Sequence, residues 1–389
     1  MNQTVIQQAL KTMHTPFYVF DTDASAAKML RLREMLPERV KLCYAMKANP
    51  FLIRDLERAT DYFEVCSPGE FRICERSGVS MDKVVLSGVY KNPDDVDYVM
   101  ERYGSRITYT AESLTQWTLI ADAAQRLKKQ VRVLLRLSNG SQFGMDLDDI
   151  KAILHGGHSF ARAEGIHYFT GTQKKSPKRI EKELAHLDDV LDELERDCGW
   201  RAQLLEYGPG LPVCYFEGEK DPAPEMEQAL CAALEQMRYQ GAVTLEMGRY
   251  FAACSGSYVT RIVDVKTNCG NDYCIVDGGI HQVNYYGQML ATKRPPVTML
   301  PERRGEETSP YTVCGALCTT NDILLKEFPM PEPQLGDALV FDRVGAYSPL
   351  EGIALFLSRD LPQVALYSEQ DGLRLVREAV PTDPCNGER

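Results

Sequence analysis

The feature that most constrains the fold of this chain is a regular alternation of short apolar runs and longer amphipathic segments between residues 41 and 250. Segments such as IEKELAHLDDVLDELERD carry apolar residues three and four positions apart, as amphipathic helices do. Eight such βα units predict an α/β fold, a TIM-like (β/α)8 barrel. The runs that predict its strands occupy residues 41–48, 61–67, 83–91, 106–113, 131–138, 165–172, 203–210 and 243–250.

The pattern changes after residue 250. Runs such as YVTRIVDVK, YCIVDGGI and QVALYS follow one another without long helices, which predicts a C-terminal β-domain, a sandwich or a barrel, over residues 251–389. The first domain is assigned to residues 15–250, and residues 1–14 are expected to pack on the β-domain. Whether TPFYVF, at residues 15–20, joins the β-domain too stays open at this stage. Residues 290–310 are polar and proline-rich, and they predict a long loop.

Charge and cysteine usage narrow the class of partner. A formal net charge of -11 argues against nucleic acid or an anionic membrane surface. The sequence has no run of the roughly 20 apolar residues that a membrane helix needs, and no signal-peptide pattern begins it. A cytoplasmic protein that acts on a small molecule is therefore expected. The twelve cysteines are scattered, which predicts reduced thiols, and no metal site is predicted because His155 and His158 have no third ligand nearby in the sequence.

Polar residues end nearly every predicted strand of the barrel. The carboxyl ends of parallel barrel strands meet at one face, so these side chains are expected to line one active face. A lone lysine at such a place is more often a solvated surface charge, so Lys47 in LCYAMKANP carries little weight by itself. The residues at these positions are Lys47, Glu64, Lys91, Glu112, Arg136, His167, Gly208, Gly210, Glu246 and Arg249.

A series of motifs gives these positions meaning. In chain order they are YAMKANP, SPGE, GIHYFTGTQ, EYGPG, EMGRY, VDGG, CGALCTTND and GAY, and they cover almost the whole length. In these motifs the chain resembles the fold-type III pyridoxal phosphate decarboxylases, the group of diaminopimelate, ornithine and arginine decarboxylases. The resemblance implies an alanine-racemase-like architecture, pyridoxal 5'-phosphate as cofactor, and an α-decarboxylase, a carbon–carbon lyase that converts an amino acid into an amine and carbon dioxide.

The resemblance also implies roles for matched residues. Lys47 would form a Schiff base with the cofactor, which requires a destabilised ammonium because only the neutral amine attacks a carbonyl. Glu246 would face the pyridine nitrogen and keep it protonated, and Cys318 would cross a homodimer interface to protonate the product. Cofactor binding is further expected of Arg136, His167, Phe169, Thr172, Gly208, Gly210, Arg249 and Tyr347, and substrate binding of Cys318, Thr319, Asp322 and Tyr347.

Three positions depart from the family pattern. Phe169 replaces a histidine that stacks on the cofactor ring, so it offers a flat face but no proton, and any proton transfer would move to His167. Met247 replaces a proline beside Glu246. Thr319 replaces the acidic residue that binds the distal end of diamino substrates, which makes such a substrate less favourable unless Asp322 compensates.

The substrate and two other functions remain open. VNYYGQMLATKRPP lacks the arginine-proline-leucine-tyrosine pattern of diaminopimelate enzymes and looks more like relatives from natural-product pathways, including those that act on an amino acid tethered to an acyl carrier protein. The basic residues Lys293, Arg294, Arg303 and Arg304 would suit an acidic carrier. The alternatives are an amino-acid racemase of the alanine racemase type, which typically places arginine at the pyridine nitrogen, and a non-catalytic decarboxylase-like regulatory protein.

Overall fold

The computed structural model describes residues 1–285 and 291–388. Within them lie ten α-helices and seventeen strands, numbered here in chain order. The helices are α1 (Gln3–Thr12), α2 (Thr22–Met35), α3 (Ile53–Leu56), α4 (Pro68–Ser77), α5 (Pro93–Tyr103), α6 (Leu114–Leu127), α7 (Leu147–Gly156), α8 (Pro177–Cys198), α9 (Ala223–Gln236) and α10 (Arg249–Ala252). The strands are β1 (Phe17–Asp21), β2 (Val40–Ala45), β3 (Tyr62–Val65), β4 (Val84–Leu86), β5 (Thr108–Ala111), β6 (Val131–Arg136), β7 (Ala161–Phe169), β8 (Leu204–Gly208), β9 (Ala242–Met247), β10 (Gly256–Asn268), β11 (Asn271–Val276), β12 (Val297–Leu300), β13 (Ser309–Cys314), β14 (Ile323–Met330), β15 (Ala338–Asp342), β16 (Gln363–Ser368) and β17 (Gly372–Arg377).

Strands β2 to β9 form a closed barrel in chain order, and each pairs in parallel with the next. The barrel closes where β2 pairs with β9, with Val40 opposite Val243. Helices α3 to α9 lie between consecutive strands. The strands are buried along nearly their whole length because helices cover the outer face of the barrel and side chains fill its interior. The predicted barrel is confirmed, and its eight strands fall within the eight runs, except that β2 and β9 begin one residue earlier and β7 begins four residues earlier.

The chain divides into two compact units. The barrel unit comprises Ala26–Val213 and Asp221–Tyr250, and the β unit comprises Met1–Ser25, Cys214–Lys220 and the residues from Phe251 onward. This division differs from the predicted boundary at residue 15, because β1 pairs with β10 and β16 of the β unit. TPFYVF thus contributes a strand to that sheet. The five-residue strand FYVFD is too short to be told from a barrel strand by composition.

The β unit contains one nine-stranded sheet. Seven strands follow the order β14-β13-β11-β10-β1-β16-β17, while β15 pairs with β10 and β12 pairs with β15. Helix α1 buries Val5, Ile6 and Ala9 in the same apolar cluster as Val259 and Val340 of the sheet.

The prediction of a continuous loop over residues 290–310 is wrong at residues 297–300 and 309–310. Residues 297–300 form β12, which pairs antiparallel with β15, and residues 309–310 begin β13. The short apolar run VTML was obscured by the charged and proline-rich residues on both sides. Residue 290, and the part of the VNYYGQMLATKRPP motif at residues 286–290, lie outside the described residues.

A search of the described helices finds none with the length and apolar composition of a membrane span.

Candidate active site

A cavity of about 420 Å³ opens at the carboxyl ends of the barrel strands. Four of the predicted site residues, Lys47, Arg136, Phe169 and Glu246, line it together. The strand-end position of each residue thus brings the side chains to one place, as barrel geometry requires. The other lining residues are Glu64, Cys66, Ser67, Pro68, Gly88, Val89, Tyr90, Glu112 and Phe143.

Lys47 follows strand β2 in a single turn of 3-10 helix, Met46–Ala48. The Asn49 side chain accepts a hydrogen bond from the Phe51 backbone N–H (3.1 Å), and the Tyr44 hydroxyl donates to the Asn49 carbonyl (3.0 Å). These two bonds fix the turn that directs Lys47 into the barrel mouth. The Lys47 Nζ donates to the Glu64 carboxylate and to Glu246 Oε1 (3.2 Å). The lysine is therefore bracketed by two acids.

The charge state of Lys47 differs from the expected one. Burial disfavours its ammonium form, but the Glu64 and Glu246 carboxylates outweigh burial and raise the pKa of Lys47 well above its ordinary value. The expectation of a destabilised ammonium is therefore wrong for this arrangement. The strand pattern placed Glu64 and Glu246 at the same face as Lys47 but could not show that both contact its amine. Before the amine can attack a carbonyl, a neighbouring group must accept its proton.

Of the two acids in contact with Lys47, Glu64 has the pKa nearer to neutral. Burial and the nearby Glu246 carboxylate raise the pKa of Glu64 to about 6, although Lys47 opposes the shift. A base with a pKa near the working pH transfers protons in both directions. The Cys66 thiol lies 3.2 Å from Glu64 Oε1 and 3.7 Å from Lys47 Nζ. Sequence analysis noted Glu64 only as a strand-ending residue, and it missed Cys66.

Glu246 lies on β9 as a buried anion. Its Oε1 accepts from Lys47, and its Oε2 lies 3.0 Å from His167 Nε2. Burial alone would raise its pKa, but Lys47 and the His167 hydrogen bond hold the pKa of Glu246 well below its ordinary value. Such an anion is what a protonated pyridine nitrogen requires as a partner. His167 is only 1% exposed and does not line the cavity, so it contacts Glu246 rather than the cavity space.

Arg136 reaches the cavity as half of a buried ion pair. Its Nη1 donates to Glu112 Oε1 (2.8 Å), and its guanidinium lies 4.8 Å from the centre of the Phe143 ring. Pairing and stacking hold the guanidinium in one orientation, and Glu112 offsets its charge. Glu112 ends its strand as predicted, but sequence analysis gave it no role.

The glycines of EYGPG permit close approaches between neighbouring strands. Phe169 is the register partner of Gly208, and a Cβ on Gly208 would lie 2.2 Å from the Phe169 ring. Gly210 has a φ of +62°, and a Cβ there would lie 2.2 Å from the carbonyl oxygen of Gly171. Both positions therefore require glycine. The predicted phosphate-binding residues of the barrel unit do not line the cavity, and their role stays a prediction: Thr172, Gly208, Gly210 and Arg249.

The residues present fit pyridoxal phosphate on three counts. The cavity offers an amine at Lys47 for its aldehyde, the aromatic face of Phe169 for its ring, and the Glu246 anion for its ring nitrogen.

The remaining predicted residues belong to the β unit. Cys318 is exposed on the loop between β13 and β14. Asp322 is 2% exposed; its Oδ1 accepts from the Ile280 N–H (2.8 Å) and its Oδ2 from the Leu317 N–H (2.7 Å). Asp322 thus ties the VDGGI loop to the loop of Cys318, and this backbone role leaves it poorly placed to bind a substrate ammonium. Substrate contacts by Cys318, Thr319, Asp322 and Tyr347 stay predictions.

Sequence analysis also missed Glu206, although a signal was present. Glu206 is a carboxylate within the apolar run QLLEYG, two residues before the strand-ending Gly208. It is 1% exposed and forms, with His167 and Glu246, the single compact group of three potential metal-ligating side chains found in residues 1–285 and 291–388. Glu246 already contacts Lys47 and His167 there, and the prediction of no metal stays a prediction.

The sequence and the fold of this chain are similar to those of known decarboxylases. Residues 23–253 match the family model described as the pyridoxal-binding domain of the pyridoxal-dependent decarboxylases. The chain is 26% identical to the L-glutamyl-[BtrI acyl-carrier protein] decarboxylase of Niallia circulans, over 98% of this chain and 95% of that protein. It is also 26% identical to the diaminopimelate decarboxylase of Campylobacter jejuni, over 88% of each. The crystal structure of the Helicobacter pylori diaminopimelate decarboxylase complexed with L-lysine shares the fold, with a TM-score of 0.84 and 22% identity over 97% of this chain and 98% of that one.

Proposed function

Because this chain belongs to the family of pyridoxal-dependent decarboxylases, we propose that it removes the α-carboxyl group of an amino acid as carbon dioxide and releases an amine. The observation that carries the proposal is the pair of contacts from Lys47 Nζ to Glu64 and Glu246 inside one cavity. When bound, pyridoxal phosphate supplies an aldehyde that joins to amines and a ring that accepts the electron pair of the broken bond.

Three residues that line the cavity, Glu64, Glu246 and Phe169, each have one task in this proposal. Glu64 stabilises the resting Lys47 ammonium and takes up its proton only transiently, when the amine must be neutral. Glu246, held by His167, keeps a proton on the ring nitrogen, which makes the ring a better electron acceptor. Phe169 lines the cavity and would cover one face of the ring and exclude water from it. The exchange of the proton between Lys47 and Glu64 requires no movement of the backbone, because the two groups are already in contact.

We favour an amino acid without a distal ammonium group. A buried ammonium needs an acidic partner, and Thr319 offers none. Asp322, the alternative, already accepts two backbone hydrogen bonds. The Niallia circulans relative is named for a glutamyl group on a carrier protein, which is a substrate of this kind.

The basic residues between positions 293 and 304 are weak evidence for a binding site for a carrier protein, because three of them are paired with acids. Arg303 donates to Asp337 Oδ1 (2.8 Å), and the two side chains are 13% and 6% exposed. Lys293 is paired with Glu219, and Arg304 with Glu302. A tethered substrate is therefore proposed on the strength of the relative and of the missing acid at position 319, with no docking surface assigned.

A panel assay tests the proposed reaction. We expect the purified protein, loaded with pyridoxal phosphate, to release carbon dioxide from one member of a panel of free and carrier-bound amino acids. The panel pairs each diamino acid with the acidic or neutral amino acid of the same length, each as its L and D form, and mass spectrometry identifies the amine. Racemisation without gas would favour the racemase, and no turnover at all would favour the regulatory protein.

We also propose a homodimer in which Cys318 serves the site of the other copy. The β unit exposes a run of apolar side chains, Ile353, Leu355, Phe356 and Leu357, each more than 40% exposed. Contiguous exposed apolar side chains are typical of protein interfaces. The exposed position of Cys318 is compatible with a role in a neighbouring site.

Mixing two inactive variants tests the shared site. We expect Lys47→Met and Cys318→Ser each to be inactive, and activity to appear after the two are unfolded and refolded together, because a mixed dimer then contains one intact site. Cys269→Ser, at another exposed cysteine of the β unit, is the matched control and is expected to retain activity by itself. Persistent inactivity of a mixture that light scattering shows to be dimeric would refute the shared site.

A further inference from the structure

Glu206 is a buried carboxyl group that the proposed chemistry leaves without a task. It lies on β8 with His167 of β7 as its register partner on one side and Thr244 of β9 on the other. Neither of its oxygens has a hydrogen-bond partner among the described residues. Buried polar groups almost always have a partner, so this one requires an explanation.

Only one of the two ring nitrogens of His167 has a hydrogen-bond partner among the described residues. Its Nε2 contacts Glu246 (3.0 Å), whereas its Nδ1 is buried and has no partner within the described part of the chain. A carboxylate oxygen of Glu206, a ring nitrogen of His167 and an oxygen of Glu246 all lie within 4.8 Å of one another. One water molecule or a small side-chain rotation would join Glu206 to the imidazole across such a distance.

The groups around Glu206 decide its protonation. His167 of β7, Glu246 of β9, Glu64 of β3, Lys47 after β2 and the Cys43 thiol of β2 are the titratable groups that act on it or feel its charge. Burial, with the two glutamates, outweighs His167 and Lys47 and raises the pKa of Glu206 to about 8. At neutral pH Glu206 is therefore a carboxylic acid, which can donate a hydrogen bond.

We propose that Glu206 is a positioning residue that acts through His167. Its carboxyl group hydrogen-bonds with Nδ1 of His167, which leaves the Nε2–H of the same ring to donate to Glu246. The ring is thereby fixed in one orientation, and Glu246 would be held as an anion toward the ring nitrogen of the cofactor. This inference rests on the role of Glu246 in the proposed function, whereas the arrangement of Glu206 and His167 does not.

Two substitutions at Glu206 separate this role from simple packing. Glu206→Gln keeps an N–H donor of nearly the same shape that does not titrate, and Glu206→Leu removes the donor. We expect the Leu variant to lose about 10- to 100-fold in kcat with little change in KM, as outer partners of functional side chains generally do. We expect the kcat of the wild-type protein to decline near pH 8 as Glu206 ionises. We expect the Gln variant to match the wild-type kcat at pH 7 and to lack this decline. Thr244→Val is the matched control and should match the wild-type profile, because Thr244 pairs with Glu206 in the barrel register and its hydroxyl also has no partner among the described residues.

A second readout uses the protein without cofactor. A pKa raised in the folded state means that folding retains a proton, so stability is greatest at low pH and is lost as pH rises through about 8. We expect the melting temperature of the wild-type protein to fall more steeply between pH 5 and pH 8 than that of Glu206→Gln. Nitrogen-15 NMR of the histidines should show one imidazole whose tautomer changes in Glu206→Leu.

The outcomes are distinguishable. A Gln variant with the wild-type pH profile and the wild-type slope of melting temperature would overturn the inference, as would a Leu variant with wild-type kcat. If the Leu variant does not fold, the comparison of Gln with wild type still decides. If the wild-type protein releases no carbon dioxide, the melting and NMR differences test the Glu206–His167 contact alone, so a failure of the proposed function is not mistaken for a failure of this inference.

Discussion

Lys47→Met is expected to abolish decarboxylation, with kcat reduced by at least about 10⁴-fold, because removal of a group that forms a covalent bond in catalysis has effects of this size. The amine of Lys47 enters the cavity beside the two acids that control its proton, and methionine retains the length of the side chain but cannot bond to an aldehyde. Borohydride reduction followed by peptide mass spectrometry should place the cofactor on Lys47 in the wild-type protein and nowhere in the variant.

Lys41→Met is the matched control for this prediction. Lys41 is exposed near the start of β2, the same strand that Lys47 follows, so the substitution is chemically identical but far from the barrel mouth. We expect it to retain both the label and the activity. A cofactor trapped on another lysine, or turnover by Lys47→Met near the wild-type rate, would overturn the assignment of Lys47.

Glu246→Gln is expected to lower kcat by about 10²- to 10³-fold, the usual effect of removing one electrostatic partner of a developing charge. An amide lacks the negative charge that keeps a proton on the ring nitrogen, so the ring withdraws electrons less strongly. The same change removes one of the two carboxylates that raise the pKa of Lys47, so this pKa should fall. The measurements are kcat, the absorbance of the bound cofactor against pH, and the pH dependence of cofactor attachment.

Glu64→Gln separates the two effects of Glu246. Glu64 also contacts Lys47, so its amide should lower the pKa of Lys47 in a similar way. It should leave the absorbance of the cofactor ring near that of the wild-type protein, since the proposed partner of the ring nitrogen is Glu246. If Glu64→Gln alters the ring absorbance as strongly as Glu246→Gln does, or if Glu246→Gln retains wild-type kcat, the acid at position 246 is not the partner of the ring.

The barrel and the two central residues of the site could be predicted from the sequence because both produce local sequence patterns. The alternation of apolar runs and amphipathic segments fixes the number and order of strands, and a strand-ending position places Lys47 and Glu246 at the same face. Two short strands carry weaker signals, because their assignment depends on the segments that they pair with. VTML was hidden by its charged flanks, and FYVFD gave no sign of which sheet it joins.

Closure of the barrel decided what the sequence left open. The contacts of Lys47 link residues 17 and 199 positions apart in the chain, and they form only when β2 pairs with both β3 and β9. The same closure buries Glu206 beside His167. In the β unit, the two backbone hydrogen bonds of Asp322 depend instead on the loops of that unit. The sequence by itself determined which side chains point to one face, because strand periodicity is a property of neighbouring residues. Only the tertiary structure decided which of them are charged, because a pKa depends on burial and on distances between groups that are remote in the chain.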